Sequence, residues 1–351
     1  MQGQVKVVPA RWWHVPALSR LIRDTRRRPG GEAAVLWYPQ WSPTLGLIQS
    51  AWPVPVPGVA GPRSFVAESG GRAVGLAQMR PLEEPRQWEV VFLAVELPQA
   101  GGRGTANAGG GPAPLLFVPD RRAAHLLGEL CDSGVELGAE RIVARVEEGG
   151  GRYELFKQVG FSPVVREYDY FLPAGEAVGR VTGAGAVDGL RPQRRADSYG
   201  LLQLYQGSTP KLVQMAEGKR SRSWDLPVAG WGGRLARGRA ERRWVVERDA
   251  RKVGWLRLQR QGRGQQALRQ AELLVDPQTS GLAQDLLALA LAAGGASAGG
   301  LLVRAREYQQ GLLAALEESG FTPLGSRLLM VKQLAAAVRQ PLLVPALEKV
   351  V

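Results

Sequence analysis

Apolar positions are densest toward the C-terminal end of the chain. AELLVDP (271–277) is an apolar run closed by Pro277, and GLAQDLLALALAAGG (281–295) after it is too rich in leucine and alanine to be a one-sided amphipath. That pattern predicts a strand passing into a buried helix. LLVRA (301–305) predicts another strand and QGLLAALEES (310–319) another helix, with Gly320 placed where a left-handed C′ glycine ends one. Alternation around tight turns predicts a β-hairpin in FVAESGGRAVGLAQ (65–78) and again in WVVERDARKVGWLR (244–257).

The two hairpins align without a gap: an aromatic residue, an apolar pair, Glu68 or Glu247, a turn, Arg72 or Arg251, then Val74-Gly75 or Val253-Gly254. IVARVEEGGGRYELFKQVGFSP (142–163) aligns likewise with LVRAREYQQGLLAALEESGFTP (302–323), matching at Gly160-Phe161 and Pro163 against Gly320-Phe321 and Pro323. The chain is therefore an internal repeat. Its first copy is the longer, and the surplus coincides with the Gly-rich QAGGRGTANAGGGPAP (99–114), read as a mobile loop. PAGEAVGRVTGAGAVDG (173–189), again rich in Gly and Ala, reads as the connection between copies. Each copy follows one order: a strand, a helix, a meander of strands, a helix, a strand, a second helix and a closing strand pair. The predicted class is α+β with mixed sheets.

Composition narrows what these elements can do. The 351 residues suffice for two domains, each with a core of its own. The longest C-terminal stretch without Lys or Arg, 271–303, contains Glu272, Asp276, Asp285 and several glycines, so it fails as a bilayer span. MQGQVKVVPARWW lacks the apolar core of a secretory signal, and the expectation is a cytoplasmic protein with no membrane partner. Cys131 alone cannot make an intrachain disulfide, and His14 and His125 leave little material for a metal site, so no metal is expected. The net charge of +13 is carried by 45 Lys and Arg against 32 Asp and Glu. Almost all the basic residues are arginine, as GC-rich codons would give, so Arg26-Arg27-Arg28 and the Arg234 to Arg243 run read as solvated faces that could steer an anionic cofactor, not as a nucleic-acid footprint.

Between the predicted strand at 271–277 and its helix lies Gln278-Thr279-Ser280-Gly281-Leu282-Ala283. A glycine lets the backbone approach an anion, and the first N–H groups of a helix have no intrahelical partner and carry partial positive charge. With these residues in order, the chain resembles the GNAT superfamily of acetyl-CoA-dependent N-acetyltransferases, twice over and along nearly its whole length. The resemblance implies two tandem domains, 1–175 and 188–351 with a linker at 176–187, each a mixed, mostly antiparallel sheet flanked by helices. In that family a loop of pattern Q/R-x-x-G-x-G/A takes the pyrophosphate of the cofactor. The resemblance thus implies acetyl-CoA as co-substrate in the second domain, bound by Leu274, Val275, Gln278, Ser280, Gly281, Leu282, Ala283 and Gln284. Gln309 stands where the family often has Asn. The loop has few basic neighbours of its own; Arg257, Arg260, Arg304 and Arg306 are the candidates to supply charge, and Asp285 in the first helical turn opposes it. In the first copy Gln99-Ala100-Gly101-Gly102-Arg103-Gly104 fits the pattern without a helix directly after it, and the rival Asp120-Arg121-Arg122-Ala123 lacks a glycine. The first copy therefore reads as degenerate for cofactor and as structural, or as shaping an acceptor groove.

Acyl transfer to an amine needs a base, and the family often adds a tyrosine, four residues before the glycine of Gly-Phe, to protonate the departing thiolate. Those positions hold Phe156 and Leu316, which cannot donate a proton. Glu272 on the central strand is the candidate base, with Glu247 beside it read as an Arg-paired strand carboxylate, and Tyr308 is the nearest phenol to the missing acid. Trp37, Tyr38, Trp41 and Trp52 in the first copy, and Trp224 and Trp231 in the second, fall where the family lines its acceptor groove. Three functions fit these residues: an N-acetyltransferase acting on an amine of a small molecule or peptide, a non-catalytic acyl-CoA-binding or regulatory protein, and a basic nucleic-acid or ribosome-associated module. The retained loop at 278–283 favours the first two over the third.

Overall fold

A computed structural model describes residues 5–27, 36–37, 43–44, 47, 50, 61–82, 86–95, 121–149, 151–174, 187–226, 241–261, 268–293 and 299–334. The Gly-rich 99–114 segment with its candidate loop, the linker at 176–186, and Tyr38, Trp41, Trp52 and Trp231 lie outside the described residues. In chain order the elements are β1 (Lys6–Pro9), α1 (Val15–Arg27), β2 (Leu36–Trp37), β3 (Arg63–Ser69), β4 (Arg72–Pro81), β5 (Gln87–Val95), α2 (Arg121–Glu136), β6 (Arg141–Val146), α3 (Gly151–Gln158), β7 (Ser162–Leu172), β8 (Leu190–Pro192), α4 (Ser198–Ser208), α5 (Lys211–Glu217), β9 (Glu241–Arg248), β10 (Arg251–Gln261), β11 (Leu268–Val275), α6 (Leu282–Ala292), β12 (Leu301–Arg306), α7 (Gln310–Glu318) and β13 (Thr322–Gln333). The class is α+β, as the periodicity predicts.

Two compact units form: Met1–Gln99, Arg121–Ile142 and Lys332–Val351 in the first, Ala100–Asp120 and Val143–Val331 in the second. The first unit is an antiparallel run β1-β3-β4-β5, with β2 on β5. One core cluster places Leu18 and Ile22 of α1 against Val66, Leu76, Phe92 and Ala94. Every residue of β5 is buried, including Glu89, whose carboxylate accepts from Arg80 Nη2 at 2.6 Å and Nε at 2.9 Å.

The second unit runs β8-β9-β10-β11-β12-β7-β13. Neighbours are antiparallel except β11 and β12. Its closing strand pair takes one member from each copy: β7, from the first half of the sequence, lies between β12 and β13. Tyr170 and Leu172 of β7 join the core built by β10, β11, β12, α6 and α7, and the Tyr170 hydroxyl donates to Glu317 Oε1 at 3.3 Å.

The repeated Val-Gly has a steric cause in each unit. A Cβ on Gly75 would stand 2.9 Å from Val95 Cγ1 and 3.2 Å from Leu126 Cδ2 on α2, and one on Gly254 would stand 3.0 Å from Leu282 Cδ2 and 3.3 Å from Leu286 Cδ1 on α6. Both glycines let a helix close directly onto the sheet. They also identify α2 as the repeat partner of α6. Arg269 ties down the far end of α6. This buried guanidinium donates to the carbonyls of Ala290 at 3.0 Å, Leu291 at 3.2 Å and Gly299 at 3.2 Å, so a cation meets the negative end of the helix.

The hairpin turns differ between copies. Gly70 and Gly71 take φ of 57° and 74°, while Asp249 and Ala250 are held at 49° and 59°. Left-handed backbone costs an L-residue about 1–2 kcal/mol, and alanine has no polar side chain to offset it. Ala250→Gly is expected to stabilise the protein by about 1 kcal/mol; an unchanged or lowered urea midpoint would contradict this.

Candidate active site

The second-unit site begins where two parallel strands part. β11 and β12 pair at Arg269 with Leu301, Gln270 with Leu302 and Ala271 with Val303, and no further. Both strands continue, β11 through Glu272 to Val275 and β12 through Arg304 to Arg306, so a wedge opens at their carboxyl ends. On its other edge β11 stays paired with β10 up to Val275 opposite Gly254. The backbone edge of Glu272 to Val275 facing the wedge is therefore not used by a strand, which is where an extended ligand could pair.

The loop after β11 folds on itself. The Asp276 carboxylate accepts from Gln278 N at 3.0 Å and its carbonyl accepts from Thr279 N at 2.9 Å. Gly281 is left-handed, at φ 78°, with open space where a Cβ would sit, and it receives the first helical bond, from Asp285 N at 3.1 Å. The N–H groups of Leu282, Ala283 and Gln284 precede that bond and start the helix without a side-chain cap. Leu282 and Ala283 are buried side chains that seat α6, so only their backbone is available to a ligand. Ser280 is exposed, and the Gln284 amide donates to Glu318 Oε2 at 3.0 Å. Leu274 is buried with Trp224, Trp255 and Tyr205, and Val275 packs partly against the α6 side.

Gln309 spans the wedge. Its Nε2 donates to the Leu273 carbonyl at 3.3 Å and its Oε1 accepts from Arg306 N at 2.9 Å. Both ends of the side chain thus hold the parted strands at a fixed spacing.

Glu272 and Tyr308 come close to one guanidinium, that of Arg306. The Glu272 carboxylate pairs with Arg257. Burial pushes its pKa up, but Arg257, Lys219 and Arg306 outweigh this and hold it below the ordinary glutamate value. The Tyr308 hydroxyl takes a hydrogen bond from Arg306 Nη1 at 3.2 Å and lies 3.5 Å from Thr209 Oγ1. Arg306 also meets Glu217 of α5, with a second contact to that carboxylate at 3.3 Å, and Glu167 of β7 at 3.2 Å. Glu217 accepts further from the Tyr205 hydroxyl at 2.8 Å. Burial raises the Glu217 carboxyl and Arg306 and Lys219 more than reverse it, so it stays anionic, while burial and then the Glu217 charge push the Tyr205 phenol up and keep it protonated.

Sequence reasoning missed Glu217, Lys219 and Glu167. One signal was present: Glu217 ends α5, just before the left-handed Gly218, where a carboxylate opposes the helix dipole. Such a placement needs cationic partners. Glu247 is paired as expected, with Lys252 at 2.8 Å and Arg191 at 2.5 Å. Leu316 is fully buried in the core, and Phe156 packs edge-on against Phe161 with ring centroids 4.9 Å apart. Neither position is available to chemistry.

Strand register locates the counterpart of Glu272 in the first unit. Gly75 faces Val95 as Gly254 faces Val275; stepping back three residues along each central strand gives Phe92 opposite Gln78 and Glu272 opposite Arg257. The first unit has a buried phenylalanine where the second has its paired carboxylate.

Comparison with solved structures agrees with this architecture. A tandem GNAT protein from the clavulanic acid biosynthesis pathway, solved without acetyl-CoA, superposes with a TM-score of 0.56 at 14% identity over 94% of this chain and 98% of its own. The glucosamine N-acetyltransferase region of a fungal multidomain GH3 β-N-acetylglucosaminidase gives a TM-score of 0.50 at 11% identity, over 94% of this chain and 38% of its own. No family model matches the sequence, and no curated protein matches it. The fold is that of two GNAT-like domains in tandem. Among the described residues no helix is long and apolar enough to cross a membrane.

The buried carboxylates set an acid limit on the second unit. Asp197 accepts from both Arg191 terminal nitrogens, which lower its pKa from 3.8 to about 2. Burial raises Glu167, but Arg145, Arg306 and Arg304 bring it from 4.5 to about 2. Both folded values lie below the unfolded ones, so their contribution is complete above pH 4.5 and is lost as pH falls toward 2. The urea midpoint is expected to decline across that window. Asp197→Asn should lower it at pH 6 and flatten the decline; a variant with the wild-type slope would remove Asp197 from this account.

Proposed function

We propose that the chain is an N-acetyltransferase of the tandem GNAT type, with acetyl-CoA held by the second unit and the acetyl group passed to an amine of a small molecule or peptide. The observation that carries this reading is the wedge between β11 and β12, with the start of α6 delivered to the same end of the sheet by the 276–281 loop. In this reading the extended arm of the cofactor pairs with the backbone edge at Leu274 and Val275. Its pyrophosphate meets the N–H groups from Ser280 to Gln284, where the glycine permits close approach and the helix end favours an anion. Gln309 keeps the wedge at working width. The repeat copies, 1–175 and 188–351 joined by 176–187, are the two domains. The first has given up the central-strand carboxylate, with Phe92 in its place, and serves the second by lending it β7.

Glu272 acts as the base through water in this scheme. Its pairing with Arg257 and depressed pKa make it a weak base, so its part in this scheme is to hold and orient the water that carries the ammonium proton outward to solvent. The thiolate leaves without a direct acid at the Leu316 position, and Tyr308 is the phenol that can donate from the opposite strand end, oriented by Arg306. A second reading, a non-catalytic acyl-CoA-binding protein, draws on one specific observation: Leu316, at the usual tyrosine position, is fully buried core.

Calorimetric titration with acetyl-CoA tests the site. Wild type is expected to bind, and Gly281→Asp, which puts a carboxylate at the helix start and a β-carbon on a left-handed residue, to bind at least about tenfold more weakly. Absence of binding, or equal binding by both proteins, would sink the cofactor assignment. With binding established, release of free CoA on adding amines separates the two readings: Glu272→Gln and Tyr308→Phe should each lower kcat by about 10² or more in an enzyme, whereas a binder releases no CoA.

A further inference from the structure

Lys219, one of the cations that keep Glu217 and Glu272 ionised, has a second set of neighbours. Its Nζ stands 5.2 Å from the centroid of the Tyr205 ring and 5.1 Å from that of Trp224. The two rings are 5.7 Å apart and inclined at 50°. Glu217 Oε2 lies 3.8 Å away, on a carboxylate already fixed by Arg306 and by the Tyr205 hydroxyl. Two aromatic faces and a carboxylate around one ammonium are the elements of a site for organic cations, because the negative face of each ring and the carboxylate all favour a desolvated positive group.

The setting points to use as well as to stability. Tyr205 and Trp224 pack in one cluster with Leu274, and Leu274 shares a face of β11 with Glu272, two residues away. The ammonium is thus held over the face of the central strand that carries the candidate base, beside the wedge. Trp224 is buried, and its indole N–H has no hydrogen-bond partner among the described residues, a donor that an occupant's oxygen could satisfy. The Lys219 side chain keeps 26% of its surface exposed, so it can swing out into water.

We propose that Tyr205, Trp224 and Glu217 form a binding box for the alkylammonium group of the acceptor, and that Lys219 is its resident occupant in the free protein. The acceptor class is then an alkyl primary amine bound as its cation, which must displace Lys219 to enter. The purpose of the box rests on the acyl-transfer reading; its existence rests on these contacts alone.

The test uses n-butylammonium chloride, a mimic of the lysine side chain, titrated by calorimetry into wild type and Lys219→Met at constant ionic strength. The methionine variant, which removes the resident ammonium, is expected to bind at least about tenfold more tightly than wild type, in line with a desolvated cation on aromatic faces. Adding Trp224→Ala to that variant should abolish the gain, and neutral n-butanol should bind neither protein. Equal titration of wild type and Lys219→Met, or binding of butanol as strong as that of the cation, would overturn the box. Lys219→Gln takes the place of the methionine variant should the latter fail to fold. No arm uses acetyl-CoA. A protein that takes n-butylammonium and refuses acetyl-CoA keeps the box and loses the acyl-transfer reading, and the reverse result removes the box alone.

Discussion

The second unit depends on the unequal pairing of β12 along its two edges. Along one edge β12 pairs with β7 over its full length, Leu301 opposite Leu172 through Arg306 opposite Glu167. Along the other it follows β11 for three residues only. Charge reinforces the longer pairing, because Glu167 and Asp169 of β7 hold Arg306 and Arg304 of β12. β12 therefore follows β7 and turns away from β11, and the wedge is what that departure leaves. The opening thus lies opposite the edge of β12 that carries the full-length strand pairing and the ion pairs. Gln309 then limits its width from within.

Much of this is legible in the sequence because it is local. The hairpins follow from alternation and turn residues, the buried α6 from its dense leucines and alanines, and the helix stop at Gly320 from a left-handed glycine at φ 73°. The internal repeat marks both copies. What the sequence conceals is long-range. No periodicity announces that β7 completes the second unit, since its alternation suits either sheet. Glu167 and Asp169 look like ordinary exposed strand acids until four arginines from other strands converge on them. Glu217 is similarly unremarkable until Arg306, 89 positions away, is placed on it.

The two copies have parted company at specific positions. Where the second has Arg257 opposite Glu272, the first has Gln78 opposite Phe92, and the Gln78 amide is spent inside the unit on the Pro43 carbonyl and Ser64 Oγ, both at 2.9 Å. The strand-to-helix joint differs too. Asp197 of the second copy is bridged to Glu247 by two cations, Arg191 and Lys252, while the corresponding His14 meets Glu68 directly at 2.8 Å and accepts from Arg11 N at 3.0 Å. At these two places the first copy has apolar or singly paired groups where the second has charged pairs.

The placement of β7 also bears on synthesis. The strand leaves the ribosome well before β12 and β13 exist, and domains otherwise tend to fold in the order they are made. Until the second half has been translated, Tyr170 and Leu172 lack the core that buries them, and Glu167 and Asp169 lack Arg304, Arg306 and Arg327. The nascent first half therefore carries an unpaired strand that cannot settle while the chain is incomplete. A chain that stops before β12 thus leaves both edges of β7 without the strands that pair them in the full protein.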